Sequence, residues 1–393
     1  MALTKIDVSM YEDISGANNL VKLDANAKIP AGPAANLTNL PGPVQSTSDP
    51  TISSNKALGT QWINKTSGEV YVCTNATADA NVWTNVGEGT GDIQPFAFQG
   101  TVSGYTFGSN VLNDSEIVDK FSLTSDGNAT NVATLSVKRL DPAEACSSTH
   151  GYAAGGWDGG AHSNIIDKWT FASDNDATDV GDLTAARYYA CGQSSSTHGY
   201  MTGGSGTTSG SRNDIDKWST SSDANATVVG TLTVARHFTS GQSSATHGYI
   251  SSGNQDGGSN YRNIIDKFTF ASDANATDVG DLVSAKDQTA GQSSTTHGYV
   301  SGGYNNSGNF NTIEKFAFAS DGNASDIADL SDGVRYNFSG SSSTTHGYSN
   351  GGQLSNAGTT VNIIDKFPFS SNANATDVGD LSTNKCQTGS TQN

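Results

Sequence analysis

Two short phrases recur along the chain and contain most of the side chains that could do chemistry. The first is Thr-His-Gly-Tyr, whose imidazole could bind a metal ion or transfer a proton. The second is the acidic phrase of Phe268–Leu282, FTFASDANATDVGDL, which returns with small changes in the rest of the chain. Its carboxylate and amide oxygens are the ligand types that Ca²⁺ prefers.

The spacing of the histidines argues against a metal site. His150, His198, His247, His297 and His346 follow one another at steps of 48, 49, 50 and 49 residues. Such regular spacing indicates a structural repeat, and copies of a repeat keep equivalent residues apart, whereas zinc needs four ligands about 2 Å from one ion. We therefore expect no bound metal, and each imidazole hydrogen-bonded to a neighbouring turn.

The acidic phrase leaves two interpretations. Asp273, Asn275 and Asp278 could bind calcium, but the phrase lacks the glycine and the distal glutamate of an EF-hand loop. The alternative is a turn in which Asp and Asn side chains bond nearby backbone amides. We favour the turn. The Asn-Ala-Thr triplets of this phrase also match the acceptor pattern for N-glycosylation, and we attribute this match to the abundance of Asn, Ser and Thr in the chain.

The repeat predicts the fold class. A lysine in NIIDKF or a variant marks six units: Lys120, Lys168, Lys217, Lys267, Lys315 and Lys366. Each unit contains four short β-rich segments, the first of which (for example ARYYACGQ, 186–193) precedes a turn with a sequence like AGQSS. Four strands per period of about 50 residues are typical of one propeller blade. We predict an all-β, six-bladed β-propeller of four-stranded blades over residues 93–393. Either 384–391 or 93–100 should complete the shared blade and remove its free edge.

Length variation is confined to one place in the unit. The distance from each lysine to the next histidine is 30, 30, 30, 30 and 31 residues, whereas from histidine to lysine it is 18, 19, 20, 18 and 20. The variable loops therefore lie between the second and third strands, and repeat insertions often form a binding face. The candidate recognition residues in these loops are Trp157, Tyr261, Arg262, Tyr304 and Phe310.

A second repeated pair predicts an internal contact. Asp266 alternates with apolar residues in its strand, and a buried carboxylate needs a partner. A basic residue also recurs once per unit, at Arg187, Arg236, Lys286 and Arg335. We predict one ion pair per unit between these residues and the acids Asp167, Asp216, Asp266, Glu314 and Asp365.

The first 92 residues lack the repeat. Residues 1–45 are rich in Ala, Pro and Asn, which is typical of an extended segment. Residues 46–92 contain a hairpin signal, QWINKTSGEVYVCT, and we predict a small β module with Trp62, Tyr71 and Trp83 as its core. The four cysteines of the whole chain lie far apart and are expected to be free and buried.

Composition narrows the function classes. The formal net charge is −18, which disfavours nucleic acid and anionic membrane surfaces as partners. Neither a signal peptide nor a window of about 20 apolar residues occurs, so we expect no membrane insertion. No catalytic motif occurs outside the repeated phrases, and an acid present in every unit is more typical of a scaffold than of a catalyst. We therefore expect no enzyme activity and no cofactor.

The repeat resembles the kelch repeat of β-propellers. Paired glycines that end the second strand carry this resemblance, together with an arginine at the start of the first strand. The arginines are Arg187, Arg236 and Arg335, and Lys286 and Lys385 stand in their place elsewhere. The pairs are Gly155–Gly156, Gly203–Gly204, Gly302–Gly303 and Gly351–Gly352, with Ser252–Gly253 as a partial match. The chain departs from the kelch pattern in its fourth strand, where Val or Ile of DVGDL replaces the usual Trp.

The whole chain resembles tail-fibre and related appendage proteins of marine bacteriophages, especially those of cyanobacteria. The leader LVKLDANAKIPA (20–31) and the phrases SDANATDVGDL and THGY carry this resemblance. It implies a virion protein that is assembled in the host cytoplasm and anchored by residues 1–45 to other tail proteins. It also implies a homo-oligomer, commonly a trimer, and a propeller that recognises a host-surface glycan or protein. The alternatives are a purely structural tail or baseplate component and a glycan-degrading enzyme.

Overall fold

The computed structural model describes residues 43–86, 97–110, 115–207, 210–256, 259–354 and 358–393. These residues form β-strands and turns without any helix, so none of them belongs to a membrane-spanning helix. The chain divides into two compact units, Met1–Gln94 and Pro95–Asn393. The predicted extended segment 1–45 lies outside the described residues except for its last three.

The first unit contains one four-stranded sheet of Val44–Ser46, Gln61–Asn64, Val70–Asn75 and Val82–Asn85, in that order. The second and third strands form the predicted antiparallel hairpin. Tyr71 and Trp83 are fully buried, and Trp62 packs against them in an edge-to-face arrangement with Trp83, 5.7 Å between ring centroids. The predicted aromatic core is confirmed, with Cys73 as an additional member.

The described part of the second unit contains six larger sheets, which we number by the repeat unit that supplies most of their strands. Within each sheet the strands are hydrogen-bonded in the order first, second, third, fourth, and every pair is antiparallel. Sheet 1 contains Gly389–Gln392, Ser103–Phe107, Ile117–Ser122 and Thr130–Thr134. Sheet 2 contains Ala143–Cys146, His150–Ala154, Ile165–Thr170 and Thr178–Asp182. Sheet 3 contains Cys191–Ser194, His198–Thr202, Asp214–Ser219 and Thr227–Thr231.

The remaining three sheets follow the same plan. Sheet 4 contains Ser240–Ser243, His247–Ser251, Asn260–Thr269 and Thr277–Lys286. Sheet 5 contains Ala290–Ser293, His297–Ser301, Thr312–Ala317 and Ser325–Asp329. Sheet 6 contains Ser339–Ser342, His346–Asn350, Ile363–Pro368 and Thr376–Asp380.

The first strand of sheet 1 comes from the C-terminal end of the described chain. Gly389–Gln392 pairs with Ser103–Phe107. Of the two segments that the sequence offered for this position, 384–391 and 93–100, the C-terminal one therefore completes the sheet. First strands of consecutive sheets contact each other, and the first strand of sheet 6 contacts that of sheet 1, which in turn contacts that of sheet 2.

Glycine allows the first strands to approach closely. A Cβ added to Gly291 would lie 2.2 Å from the carbonyl oxygen of Gly241, and one added to Gly241 would lie 2.1 Å from that of Gly192. Real side chains do not tolerate such contacts, so the recurring Gly of the AGQS phrase is a packing requirement. The sequence interpretation of AGQSS as a turn is therefore wrong, because Ala290–Ser293 is itself the first strand and the turn follows it.

The core consists of clusters between consecutive sheets. A representative cluster joins Tyr200 and Ile215 of sheet 3 to Ile250 and Phe268 of sheet 4. Ile265 and Asp266 are both fully buried although they are neighbours in one strand, because the pairing register shifts between them and both faces of the strand are covered.

Candidate recognition surface

The variable loops form small hairpins beside the second strands. Their short strands are Ser205–Gly206 with Gly210–Ser211, Tyr304–Asn305 with Gly308–Asn309, and Gln353–Leu354 with Thr359–Thr360, whereas Asn254–Gln255 pairs with the extended third strand of sheet 4. The paired glycines direct the chain into these hairpins. Gly155 and Gly156 have φ values of 66° and 107°, and a Cβ on Gly155 would lie 2.6 Å from the carbonyl oxygen of Arg187.

Each hairpin contacts a linker, which we define as the residues between the fourth strand of one sheet and the first strand of the next. Arg187–Tyr188 pairs with Ser205–Gly206, and Arg335–Tyr336 pairs with Gln353–Leu354. Single bridges join Leu140 to Trp157, His237 to Asn254 and Asp287 to Tyr304. The loops and linkers therefore form one continuous surface, which we call the loop face.

Three predicted recognition residues lie partly exposed on the loop face. The backbone of Trp157 bridges both Leu140 and His162. The rings of Tyr261 and Tyr304 meet edge to face with centroids 6.0 Å apart, although they come from loops of neighbouring sheets. The Tyr261 hydroxyl donates to Asn306 Oδ1 at 2.9 Å, and burial together with the Asp287 carboxylate raises the pKa of Tyr261 to about 12.

The other two predicted recognition residues, Arg262 and Phe310, contact side chains of their own repeat unit. Arg262 donates to the side-chain oxygen of Gln255 across its hairpin. The ring of Phe310 covers the Lys286 ammonium, 5.1 Å from the ring centroid, and Lys286 is fully buried. These contacts stabilise the hairpin of Arg262 and cover the buried Lys286, so both residues have a structural role. Their participation in recognition stays a prediction.

Aromatic residues of the linkers enlarge this surface. Five rings form a continuous band in which Tyr188 and Tyr189 lie 3.8 Å apart and Tyr189 and Phe238 lie 3.7 Å apart between centroids. This first aromatic band contains His162, Tyr188, Tyr189, His237 and Phe238. A second aromatic band contains Tyr261, Tyr304 and Tyr336. Sequence reasoning missed the linker rings because it considered only the loops, although Arg187-Tyr188-Tyr189 and Arg236-His237-Phe238 contained the signal.

The repeated histidines have a structural role, as predicted. In all five units Nδ1 of the histidine lies 2.8 Å from the hydroxyl oxygen of the preceding threonine. Burial and the neighbouring third-strand lysine lower the pKa of these imidazoles. No group of three or more His, Cys, Asp or Glu residues among the described ranges could hold a metal ion. All four cysteines are buried and free, which confirms that expectation.

The acidic phrase joins neighbouring sheets. Asp273 pairs with Lys217 of sheet 3, and Asn275 Oδ1 accepts the backbone N–H of Thr231 at 3.1 Å. Asp278 Oδ1 accepts the backbone N–H of Gly280 at 3.2 Å, so the predicted bond to a nearby amide is present, but it lies within the fourth strand and not in the turn. Equivalent bonds recur between other neighbouring sheets of the second compact unit, and one of them joins Lys366 of sheet 6 to Asp126 of sheet 1. These oxygens are therefore committed to protein partners.

The predicted buried ion pairs are confirmed. Arg187 lies 2.8 Å from Asp216, and Arg335 lies 2.9 Å from Asp365. Five of the six cations belong to a linker, and Lys286 is the last residue of the fourth strand of sheet 4. Each acid belongs to the third strand of the following sheet. The full set is Arg139–Asp167, Arg187–Asp216, Arg236–Asp266, Lys286–Glu314, Arg335–Asp365 and Lys385–Asp119.

In comparisons with known proteins, no family model matches this chain. A search of curated proteins likewise finds no significant match.

Proposed function

We propose that the protein is a virion protein of a bacteriophage, a tail fibre or similar appendage, whose loop face recognises a glycan of the host surface. The observation that carries the proposal is the contrast between the two parts of each unit. The strands and the acidic phrases repeat almost unchanged and are bonded to their neighbours, whereas the loops differ in length and carry partly exposed aromatic rings.

The proposed architecture is a six-bladed, kelch-like β-propeller. Six four-stranded sheets, cyclic contacts among their first strands and the C-terminal origin of one strand in sheet 1 support it. The buried ion pair between Lys385 and Asp119 supports it further, because it joins the last linker to sheet 1 by the same contact that joins the other neighbours.

A glycan is the proposed ligand because of the chemistry of the loop face. Flat aromatic rings stack on the apolar faces of sugars, and nearby amides and hydroxyls bond their oxygens. Asn305, Asn306 and Ser259 lie beside the second aromatic band, where Asn306 Nδ2 donates to Ser259 Oγ at 2.6 Å. The net charge of −18 makes phosphate-rich partners unfavourable.

We propose binding without catalysis. The repeated acids that could have served as catalytic pairs are engaged with basic residues or backbone amides in the scaffold. Residues 1–45, which we propose to anchor the protein to other tail components, lie outside the described part of the chain except for the last three.

Binding to envelope polysaccharide purified from marine cyanobacteria tests the proposal. We expect the full chain to bind, and a variant with Trp157→Ala, Tyr261→Ala and Tyr304→Ala to bind at least about tenfold more weakly. The matched control is Val102→Ala, Val228→Ala and Val283→Ala, which removes three exposed apolar side chains elsewhere in the unit. Equal binding by both variants and the unaltered chain would contradict recognition through the loops.

Two further observations separate the alternatives. Immunogold labelling of intact virions should place the second unit at the distal end of an appendage. A position wedged between other virion proteins would instead favour the purely structural role. Release of oligosaccharide during incubation with the polysaccharide would favour the glycan-degrading enzyme.

A further inference from the structure

A small cavity opens on the loop face at the ends of the first strands. Six linker residues surround it, one before each first strand. All have a left-handed backbone conformation with φ between 49° and 58°, which residues other than glycine rarely adopt. They are Asp141, Tyr189, Phe238, Gln288, Asn337 and Gln387. We call these six residues the mouth.

Backbone hydrogen bonds connect the mouth from sheet to sheet. The N–H of Phe238 donates to the carbonyl of Tyr189 at 2.7 Å, and the N–H of Gln387 donates to that of Asn337 at 2.8 Å. Corresponding bonds are made by Gln288, Asn337 and Asp141. Because the main chain holds the mouth together, its six side chains can differ in chemistry without loss of the scaffold.

The cavity accepts hydrogen bonds more readily than it neutralises charge. Its volume is about 60 Å³, which is room for a few water molecules or one small substituent. The hydroxyl residues Thr239, Ser240, Thr289 and Ser339 line it together with the acidic residues Asp141 and Glu144. Among the described residues, its lining includes neither lysine nor arginine. An anionic group is therefore a poor ligand, and a hydroxyl or amine donor is a good one.

Glu144 breaks the repeat at the wall of this cavity. It pairs with Ala153, the residue after the tyrosine of its second strand, and the equivalent residues of the other sheets are glycines or a serine. These are Gly192, Gly241, Gly291, Gly340 and Ser390. The close approach of the first strands favours glycine here, yet sheet 2 carries a long acidic side chain that lines the cavity. Burial raises the pKa of Glu144 to about 8.

The rim of the cavity combines aromatic and polar groups. Tyr189 and Phe238 belong to both the mouth and the first aromatic band. The Gln387 amide donates to Asp141 Oδ2 at 2.8 Å and to the Tyr189 hydroxyl at 3.1 Å. Rings beside orienting hydrogen-bond groups are the usual composition of a small-ligand site.

We propose that the cavity and the first aromatic band bind one sugar residue that carries no acid group. A hydrogen-bond-donating substituent of the sugar enters the cavity toward Glu144, and the sugar ring lies on the aromatic rim. This inference rests on the proposed glycan recognition and deepens it by naming a second contact area and its specificity. Neutral and amino sugars are accepted, and sugar acids are excluded.

The test uses methyl glycosides of neutral sugars, amino sugars and the corresponding uronic acids, with binding to the full chain measured by ligand-observed NMR and calorimetry. We expect at least one neutral or amino sugar to bind, and its uronic acid to bind at least about tenfold more weakly. Glu144→Gly should abolish sugar binding. This variant introduces the glycine that four of the other five sheets have, so it should fold, which its thermal unfolding will verify. Glu116→Gln, which removes a partly exposed carboxylate elsewhere, should bind sugar normally.

Three results would overturn the inference: equal binding of a uronic acid, unchanged binding by Glu144→Gly, or the absence of any sugar binding by a chain that still binds the envelope polysaccharide. The last result leaves the proposed function intact. A chain that fails to bind the polysaccharide but binds a neutral sugar in a Glu144-dependent manner would retain the inference and contradict the proposed host receptor.

Discussion

The guanidinium of Arg236 lies 3.2 Å from the carboxylate of Asp266, and both side chains are fully buried. Arg236 also donates to the carbonyl of Ile250 at 3.0 Å, while Asp266 accepts the hydroxyl and the backbone N–H of Thr233. The pair thus connects a linker to the third strand of the following sheet. Two opposite charges can remain buried here because they face each other and because Asp266 has further partners, although Nε and Nη1 of Arg236 have no hydrogen-bond partner among the described residues.

Removal of Asp266 should strongly destabilise the second unit. In Asp266→Ala the Arg236 charge loses its partner in a buried site, and breaking a buried pair on one side typically costs about 3–5 kcal/mol. The matched control is Asp273→Ala, which breaks a more exposed inter-sheet pair with Lys217 and should cost less than about 1 kcal/mol. Urea unfolding of both variants measures the difference. Equal stability of the two variants would show that the buried pair has no special importance.

The spacing of glycine in the first strands leads to a second prediction. A Cβ at Gly291 would lie 2.2 Å from the backbone oxygen of Gly241, so Gly291→Ala should cost about 1–3 kcal/mol through overpacking. Gly322→Ala is the matched control because no atom lies within 4 Å of its added Cβ. Its effect should stay within about 0.5 kcal/mol. Thermal unfolding compares the two, and a neutral Gly291→Ala would contradict the close approach of the strands.

Sequence reasoning succeeded where the repeat itself supplied the comparison. Regular spacing showed that Asp266 and Arg236 recur together, and elementary electrostatics then required them to meet. The same reasoning placed the variable loops between the second and third strands. The repeat spacing could not show how close the first strands lie to one another. The glycine that this close approach requires was therefore interpreted as a turn residue, and the AGQS phrase as a turn.

The candidate site was less predictable because its elements are distant in sequence. The mouth brings together residues from Asp141 to Gln387, and each looks like an ordinary linker residue when it is considered alone. Glu144 was visible as a departure from the glycine of the other units, but its meaning depends on the cavity that it lines. Tyr188 and Phe238 were overlooked because only the variable loops were searched for recognition residues.

Asp287 provides a prediction about pH. Its side chain is buried, Oδ2 accepts from Asn254 Nδ2 at 3.2 Å, and burial raises its pKa from 3.8 to about 7. Between these two pH values the folded state binds the proton and the unfolded state releases it, so this residue makes the protein less stable as the pH rises. Asp287→Asn cannot ionise and should lack this loss.

The measurement for Asp287 is the difference in free energy of unfolding between Asp287→Asn and the unaltered protein. This difference should increase in favour of the variant from about pH 4 to about pH 7 and stay constant above that range. A difference that is the same at all pH values would show that Asp287 does not change its protonation between the folded and unfolded states in this range.

The five repeated histidines lead to the opposite pH dependence. Burial, with a contribution from the neighbouring lysine, lowers the pKa of each imidazole below 6.5, so the unfolded state takes up protons first as the pH falls. Their contribution to stability should therefore be complete above pH 6.5 and decline as the pH falls through the lowered folded pKa. A variant with all five histidines replaced by glutamine should lose less stability between pH 7 and pH 5 than the unaltered protein.

Added Zn²⁺ should not raise the unfolding temperature of the unaltered protein. A zinc-dependent increase that the glutamine variant lacks would contradict the structural role of these histidines.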